Sequence, residues 1–537
     1  MEIGLITLGL ILTALVLIYR RITHKNDYFH DKPIPSMAVQ PIFGSTAGPI
    51  LNRTTFSEFI GKIYNKYAGV KVFGLFDMTM PMFVIRDPEL IKNLAVKHFD
   101  HFVDHRPLFE TSNESPDIYF NKMLISLTGQ KWRDMRAMLS PAFTGTKMRT
   151  MLGLMTGYSE QAVSILKQQA SRSGGYLHYE MKDLFIRMAN DIIATCAFGL
   201  KVESIENSEN DFFRMAQRMF NSNKLKMMAR ILTSRIWPGL LSKFDIDLFD
   251  RDITKYFSQI IREAVRTRKE QGIVRPDMIN MLMQAQQGTL KHAQDPATEA
   301  DQDAGFSTVE ESNVGKQSIS RAISEPEFIA QCLLFFVGGF DSISSILTFA
   351  SYELAVNPDV QQRLYEEIQE TNKNLQGKPL DYDTLQKMKY MDMVISETLR
   401  HWCAPALDRI CVQDFHFDDG NGLKFTIDKG TSIWIPVHGL HHDPKYFPNP
   451  ERFDPERFNE ENRKNINMDA YIPFGVGPRN CIGSRFALME MKALLFAVLK
   501  EFCLERTAET QVPLKLAKGL ISLNSEKGVH LRLSLRQ

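Results

Sequence analysis

Residues 471–500 read YIPFGVGPRNCIGSRFALMEMKALLFAVLK. A loop rich in glycine and proline leads into Cys481, and from about Ser484 to Lys500 apolar residues recur at three- and four-residue spacing, the period of an amphipathic helix. The cysteine therefore stands at a helix N-terminus, where free amides and the macrodipole favour a thiolate. Gly475-Val476-Gly477 opens a G-x-G-x-x-G pattern, but Asn480 occupies its last position and the dinucleotide-binding reading fails. The other five cysteines, Cys196, Cys332, Cys403, Cys411 and Cys503, are too sparse for a disulfide scaffold and lack a C-x-x-C pair. They read as inert buried thiols in a reducing compartment.

A second segment also carries chemistry. Ser324-Glu325-Pro326-Glu327 is a capping box with proline in the first turn, and no stop signal follows until Asn357-Pro358. At 1.5 Å per residue this predicts a helix about 50 Å long, crossing the core. Its centre is FFVGGFDSISS. Two interior glycines, Gly338 and Gly339, cost about 1 kcal/mol each against alanine, for which close helix packing is the plain explanation. Asp341 and Ser342 follow three and four residues on, placing an acid and an alcohol on or beside the same face of an apolar wall. Such a groove suits proton relay to a small bound molecule.

Around these segments the chain of 537 residues carries Lys+Arg 64 against Asp+Glu 63 and is 44% hydrophobic. This excludes wholesale disorder, a fibre, a polytopic membrane protein and a global basic field for nucleic acid. Length alone suggests three or four domains at about 150 residues each. Ile3–Tyr19 runs 17 residues without a charge, followed by Arg20, Arg21 and Lys25. Without a basic stretch before it or small residues at a cleavage site after it, it reads as an uncleaved signal anchor (1–25) with the remainder cytosolic. Pro33, Pro35 and Pro41 mark a short rigid hinge over 26–45. Helical periodicity dominates from about 55 to 400, and extended runs cluster at 69–85 and 409–437, so the fold is mainly α with small β-sheets (α+β). The acidic stretch 287–323 reads as a solvated connection between helices.

Phe474-x-x-Gly477-x-x-x-Cys481-x-Gly483 resembles the haem-binding signature of the cytochrome P450 monooxygenases. Glu397–Arg400 (ETLR) is similar to that family's E-x-x-R helix, Phe453–Phe458 (FDPERF) to its downstream arginine motif, and Lys131–Arg136 (KWRDMR) to its W-x-x-x-R helix. Gly338–Ser342 resembles its oxygen groove, with serine where threonine is usual, a hydroxyl without the methyl that restricts χ1. The motifs occur in family order. SPAFTGTKMR, ATCAFG and IPVHGLHHDPKYFPNPERFDPERF resemble more narrowly the insect microsomal members that handle foreign and diet-derived lipophiles. The resemblance implies one large haem domain over 46–537 behind the anchor, at the endoplasmic reticulum membrane.

By the same resemblance Cys481 is the proximal thiolate of haem b and thus its metal ligand, a role in which sulfur pushes electron density onto iron. Phe474 and Gly483 frame it, Arg479 pairs a haem propionate, Trp132 and Arg136 reach the same propionate from the opposite side, and Arg409 is a further propionate partner. Gly338 and Gly339 open the groove, and Asp341 and Ser342 relay protons toward the cofactor. Glu397, Arg400 and Arg457 form a buried structural triad around the haem.

The implied activity inserts one atom of O2 into a lipophilic substrate, with electrons from NADPH through NADPH–cytochrome P450 reductase and cytochrome b5 as a second donor. Lys131 and Arg133 flank Trp132 as a docking patch for an acidic flavoprotein or, equally, as a solvated helix face. Candidate pocket walls are the 107–125 loop with Phe109 and Phe120, the methionine-rich 214–228 segment, Phe335 and Phe336, Ala404–Leu407 and Leu520–Leu523. A dedicated hormone or semiochemical hydroxylase, a non-catalytic lipophile-sequestering protein and a haem-thiolate isomerase are the competing functions.

Overall fold

In the computed structural model, residues 2–107, 118–220, 224–237, 239–244, 246–287, 305–309, 311–317, 323–519 and 523–536 are described. The charge-free N-terminal run forms one helix, Glu2–Thr23. Its Ile6, Leu8, Leu10, Leu12, Val16 and Leu17 are more than half exposed, an apolar surface turned outward. The next stretch, expected as a hinge, is pinned to the body. Phe29 is buried against Phe76 and Phe83, with ring centroids 5.4 and 5.3 Å away. A Cβ on Gly74 would lie 2.7 Å from the Phe29 ring, so glycine is what admits this contact. The Met37 N–H donates to Gly74 O (2.9 Å) and the Gly74 N–H to Pro35 O (2.8 Å).

Both expected extended regions form strands and join. β1 (Val72–Asp77) pairs antiparallel with β2 (Met80–Ile85), and β2 pairs parallel with β7 (Ser432–Ile435), in register Met82↔Ser432. β4 (Leu407–Ile410) completes the order β1-β2-β7-β4. β5 (Phe415–Asp418) and β6 (Lys424–Ile427) make a separate hairpin whose turn uses Gly420 and Gly422 at positive φ. A third sheet was not expected: β3 (Tyr176–Glu180), β9 (His530–Leu535) and β8 (Phe502–Arg506), in that order. β3 lies more than 300 residues before β8 and β9, beyond the reach of hairpin signals.

The long central helix forms as read at its start and differs in its middle. Ser324 and Glu327 make the reciprocal cap, and the α-helix runs Glu325–Val337. One wide π turn, Gly338–Ser342, interrupts it before it resumes over Ile343–Val356. The stretch Glu325–Val356 is long and apolar enough to cross a membrane, but 61% of its apolar window is buried inside the protein. It is the core of the fold, with helices Met181–Ile193 and Ser484–Glu501 packed around it.

The 287–323 connection departs most from expectation. Where described, it lies on the body: Ser307 and Val314 are buried at 3% and 9% exposure.

Candidate active site

The loop before helix Ser484–Glu501 is closed by the Cys481 N–H donating to Phe474 O (2.8 Å) and the Asn480 N–H donating to Gly477 O (3.0 Å). Gly477 sits at φ +72°, and a Cβ there would lie 2.0 Å from Ala95 O, so both conformation and space demand glycine. Cys481 is the exposed cysteine of the six, yet burial raises its thiol pKa, while the Gly483 N–H and Arg136 lower it. A sulfur that is accessible and at the same time desolvated lines an internal opening. Gly338 and Ser342 show the same signature, exposed within a helix whose neighbours are buried. A Cβ on Gly338 would meet nothing within 4 Å, whereas on Gly339 it would lie 2.4 Å from Ile193 Cδ1. The two glycines therefore do different work: Gly339 admits a neighbouring helix and Gly338 leaves space.

Two cations are buried beside the thiolate loop. Arg479 donates to Val103 O (2.8 Å), Leu124 O (3.2 Å) and Leu127 O, and lies 4.4 Å over the Trp132 ring. Arg409 donates to Asp408 O (2.6 Å) and Val476 O (3.4 Å), and its Nε has no partner. Burial lowers Arg409 to about 10, and burial together with the Arg409 charge lowers Arg479 to about 9. Their nearest counter-charge in an ion pair is Asp104, 3.5 Å from Arg479. Two desolvated guanidinium groups with an orphaned N–H fit a ligand carrying carboxylates, as haem does. His105, unmarked by any motif, joins them: its Nδ1 is 3.3 Å from Asp408 and 3.4 Å from Arg409.

Arg136 is turned elsewhere than expected. It donates to Asn480 O (2.7 Å) and Asn480 Oδ1 (2.8 Å), and holds Glu311 in a bidentate pair at 2.9 to 3.2 Å. Its guanidinium clamps the thiolate loop to the 305–317 segment. Glu397, Arg400 and Arg457 do meet. Glu397 is fully buried and accepts from Arg400 Nε (2.7 Å), Arg400 NH2 (2.9 Å), Arg457 Nε (3.2 Å) and the Asp454 N–H (2.8 Å).

In the groove, Asp341 is bound by a residue the sequence did not reveal. Lys182, on helix Met181–Ile193, donates to Asp341 Oδ1 (2.8 Å), Asp341 O (3.0 Å) and Ser345 Oγ (2.5 Å). Burial lowers its pKa despite the carboxylate beside it. A second cysteine cluster was likewise unsignalled: Cys403, His438 and His442 hold their ligand atoms within 4.8 Å of one another. Burial pushes the Cys403 thiol up to about 12, and the Arg400 charge together with burial holds His438 down to about 4. With its thiol buried where that of Cys481 is exposed, it fits haem less well than the Cys481 loop.

Of the expected pocket walls, Phe109 and Leu520 lie outside the described residues. Phe336 and Met219 are core, Phe336 in an aromatic cluster with Phe198, Phe212, Phe257 and Phe340. Phe335 is half-buried beside Phe143.

A family model described as Cytochrome P450 matches residues 35–532. "Probable cytochrome P450 9f2" of Drosophila melanogaster is 40% identical over 528 residues, 97% of this chain and 98% of that protein. "Cytochrome P450 9e2" of Blattella germanica is 38% identical over 528 residues, 96% and 95% of the two chains. "Cytochrome P450 3A9" of Rattus norvegicus is 34% identical over 534 residues, 98% and 96%.

Proposed function

This chain belongs to the cytochrome P450 family of haem-thiolate monooxygenases, and we propose that it oxidises lipophilic foreign or diet-derived compounds at the Cys481 loop, drawing electrons from NADPH through a separate reductase. The observation that carries the site is the pairing of an accessible, desolvated Cys481 with two under-neutralised buried arginines, Arg409 and Arg479. Haem bound there supplies O2 activation and oxygen insertion, which no side chain can perform.

The chain's own residues do the rest. Cys481 offers the sulfur ligand; burial raises its thiol pKa, and the Gly483 N–H and the Arg136 charge oppose that rise. Arg409, with His105 beside it, and Arg479 supply donors for two carboxylates. Ser342 faces open space one turn from Gly338, where its hydroxyl passes a proton, and Lys182 holds Asp341 behind it. The apolar surface of Glu2–Thr23, with Arg20 and Arg21 in its last turn and Lys25 just beyond, supports a single-pass anchor in the endoplasmic reticulum with the body on the cytosolic side.

Reconstitution with NADPH–cytochrome P450 reductase and a panel of lipophiles tests the reading. Product that requires both NADPH and O2 supports it. A binding spectrum without product would establish sequestration, and product without NADPH would establish isomerisation. Loss of the ferrous–CO spectrum in Cys481→Ser but not in Cys403→Ser assigns the thiolate.

A further inference from the structure

Cys403 reads in the sequence as an inert thiol, yet the fold sets it against two histidines. It stands just beyond helix Lys389–His401, in the connection to β4. His438 lies on the short helix Val437–His441 and His442 caps it, a H-x-x-x-H spacing that puts both imidazoles on one side of a helical turn. The turn is closed by the His442 N–H donating to His438 O (3.1 Å), and the His438 N–H donates to Pro405 O (3.1 Å), which ties the turn to the Cys403 connection. The two rings lie side by side with centroids 4.1 Å apart. One ligand atom from each of the three residues then falls within 4.8 Å of the others.

The donors are prepared for a cation. His442 Nδ1 lies 3.0 Å from His438 O, which can only accept, so Nδ1 carries the ring proton and Nε2 keeps a bare lone pair. Burial above all, with the Arg400 charge, holds both imidazoles neutral, the form that ligates. That charge is itself matched by Glu397 at 2.7 and 2.9 Å, so an entering cation meets a paired guanidinium. Cys403 is buried, whereas His438 and His442 are partly exposed and give the cluster a path to solvent. Helix Phe56–Lys66 passes beside His438 with Gly61, where a Cβ would lie 3.7 Å from His438 Nε2.

We propose that Cys403, His438 and His442 form a binding site for Zn2+, completed by a water and sharing no residue with the Cys481 loop. One thiolate and two imidazoles are donors that zinc takes in proteins, at about 2.3 Å to sulfur and about 2.0–2.1 Å to nitrogen. In a tetrahedron of such bonds the donors stand about 3.3–3.6 Å apart, so the three have at most about 1.5 Å to close. As the zinc–sulfur bond forms, the S–H bond breaks and its proton leaves to solvent. The site's position gives the ion a structural task. His441, between the two histidines in sequence, donates from Nδ1 to Arg400 O (3.2 Å) and accepts at Nε2 from the Ile472 N–H (3.0 Å), while its carbonyl accepts from Arg400 (2.8 Å). Zinc therefore clamps the turn that joins Arg400 to the strand of loop leading into Cys481.

The test uses full-length holoenzyme in detergent micelles, stripped with EDTA, loaded with one equivalent of ZnCl2 and dialysed against metal-free buffer. Wild type should retain one zinc per chain by elemental mass spectrometry. Its zinc K-edge X-ray absorption, which the haem iron does not touch, should show one sulfur at about 2.3 Å and nitrogen at about 2.0–2.1 Å. Cys403→Ala and His438→Gln/His442→Gln, each with normal ferrous–CO haem content, should raise the zinc Kd by more than the roughly 10- to 100-fold that loss of an outer-shell partner costs. Zinc should also slow amide exchange across Val437–His441 in wild type and in neither variant. Failure of wild type to hold stoichiometric zinc, an absorption spectrum without sulfur, or equal retention by Cys403→Ala overturns the site. Zinc held by these ligands with unchanged amide exchange overturns the clamp.

Discussion

Glu397→Ala is the sharpest perturbation of the fold around the cofactor site. The carboxylate is fully buried and accepts four hydrogen bonds, three from the guanidinium groups of Arg400 and Arg457 and one from the Asp454 amide. Alanine leaves Arg400, itself 0% exposed, with neutral acceptors only: His441 O and Pro450 O at 2.8 Å, and Arg452 O at 3.4 Å. Breaking a buried pair from one side costs about 3–5 kcal/mol, because the surviving charge is uncompensated. Against a net stability of about 5–15 kcal/mol, that removes roughly a fifth of the margin or more. Glu397→Gln keeps an acceptor for Asp454 but not the charge, and since charge-assisted bonds are about twice as strong as neutral ones, roughly half the loss remains. The discriminating variant is Glu397→Ala/Arg400→Met: with the charge gone, stability should recover relative to Glu397→Ala. Urea denaturation followed by tryptophan fluorescence, with haem content from the ferrous–CO spectrum, reads all three. A Glu397→Ala protein within about 1 kcal/mol of wild type, or a double variant weaker than the single, would refute the reasoning.

Two further outcomes follow from buried charges. Ser342→Ala and Lys182→Met should keep normal haem content but lower product formed per NADPH at least about twofold, as a mispositioned proton donor lets reduced oxygen escape as peroxide; unchanged coupling in both would remove the groove from the proton path. Glu353 is pushed up to about 7 by burial, against an ordinary 4.5, with Trp402 Nε1 donating to it at 3.0 Å. The folded state therefore holds a proton that the unfolded chain releases. The associated stability is complete below pH 4.5 and is lost as pH rises through 7, at most roughly 3 kcal/mol. Glu353→Gln mimics the protonated form, so the fall in its urea midpoint between pH 5 and pH 8 should be smaller than in wild type, and an equal fall would contradict the assignment.

Legibility in the sequence tracked distance along the chain. Cys481 and its glycines are a contiguous pattern whose spacing carries the geometry, and Glu397 and Arg400 share a helix face at i,i+3, so both could be read directly. The capping box at Ser324 is equally local, and it formed as read. The π turn at Gly338–Ser342 was not readable, because a helix with glycines and a helix with one widened turn share the same periodicity. Lys182 is an unremarkable lysine on an amphipathic helix, and only the packing of that helix against Gly339 brings it to Asp341, 159 residues away. The 305–317 segment misled for a physical reason: composition reports average solvation, whereas its docking depends on Phe306, Ser307 and Glu311 finding prepared partners.

The four buried arginines of this region differ in function by how their counter-charge is held. Arg400 is matched within the core by Glu397, three residues away on the same helix, and such a closed pair serves the fold alone. Arg409 and Arg479 press their charges on each other, with Asp104 and Asp408 as the near carboxylates and the Arg409 Nε unmet, an arrangement that suits the cofactor carboxylates proposed above. Arg136 is matched by Glu311, an acid on a connecting segment whose side chain is 26% exposed. The same residue type is thus held in different ways, and what separates Arg400 and Arg136 from Arg409 and Arg479 is whether a neutralising carboxylate is bonded to the guanidinium or an Nε is left unmet.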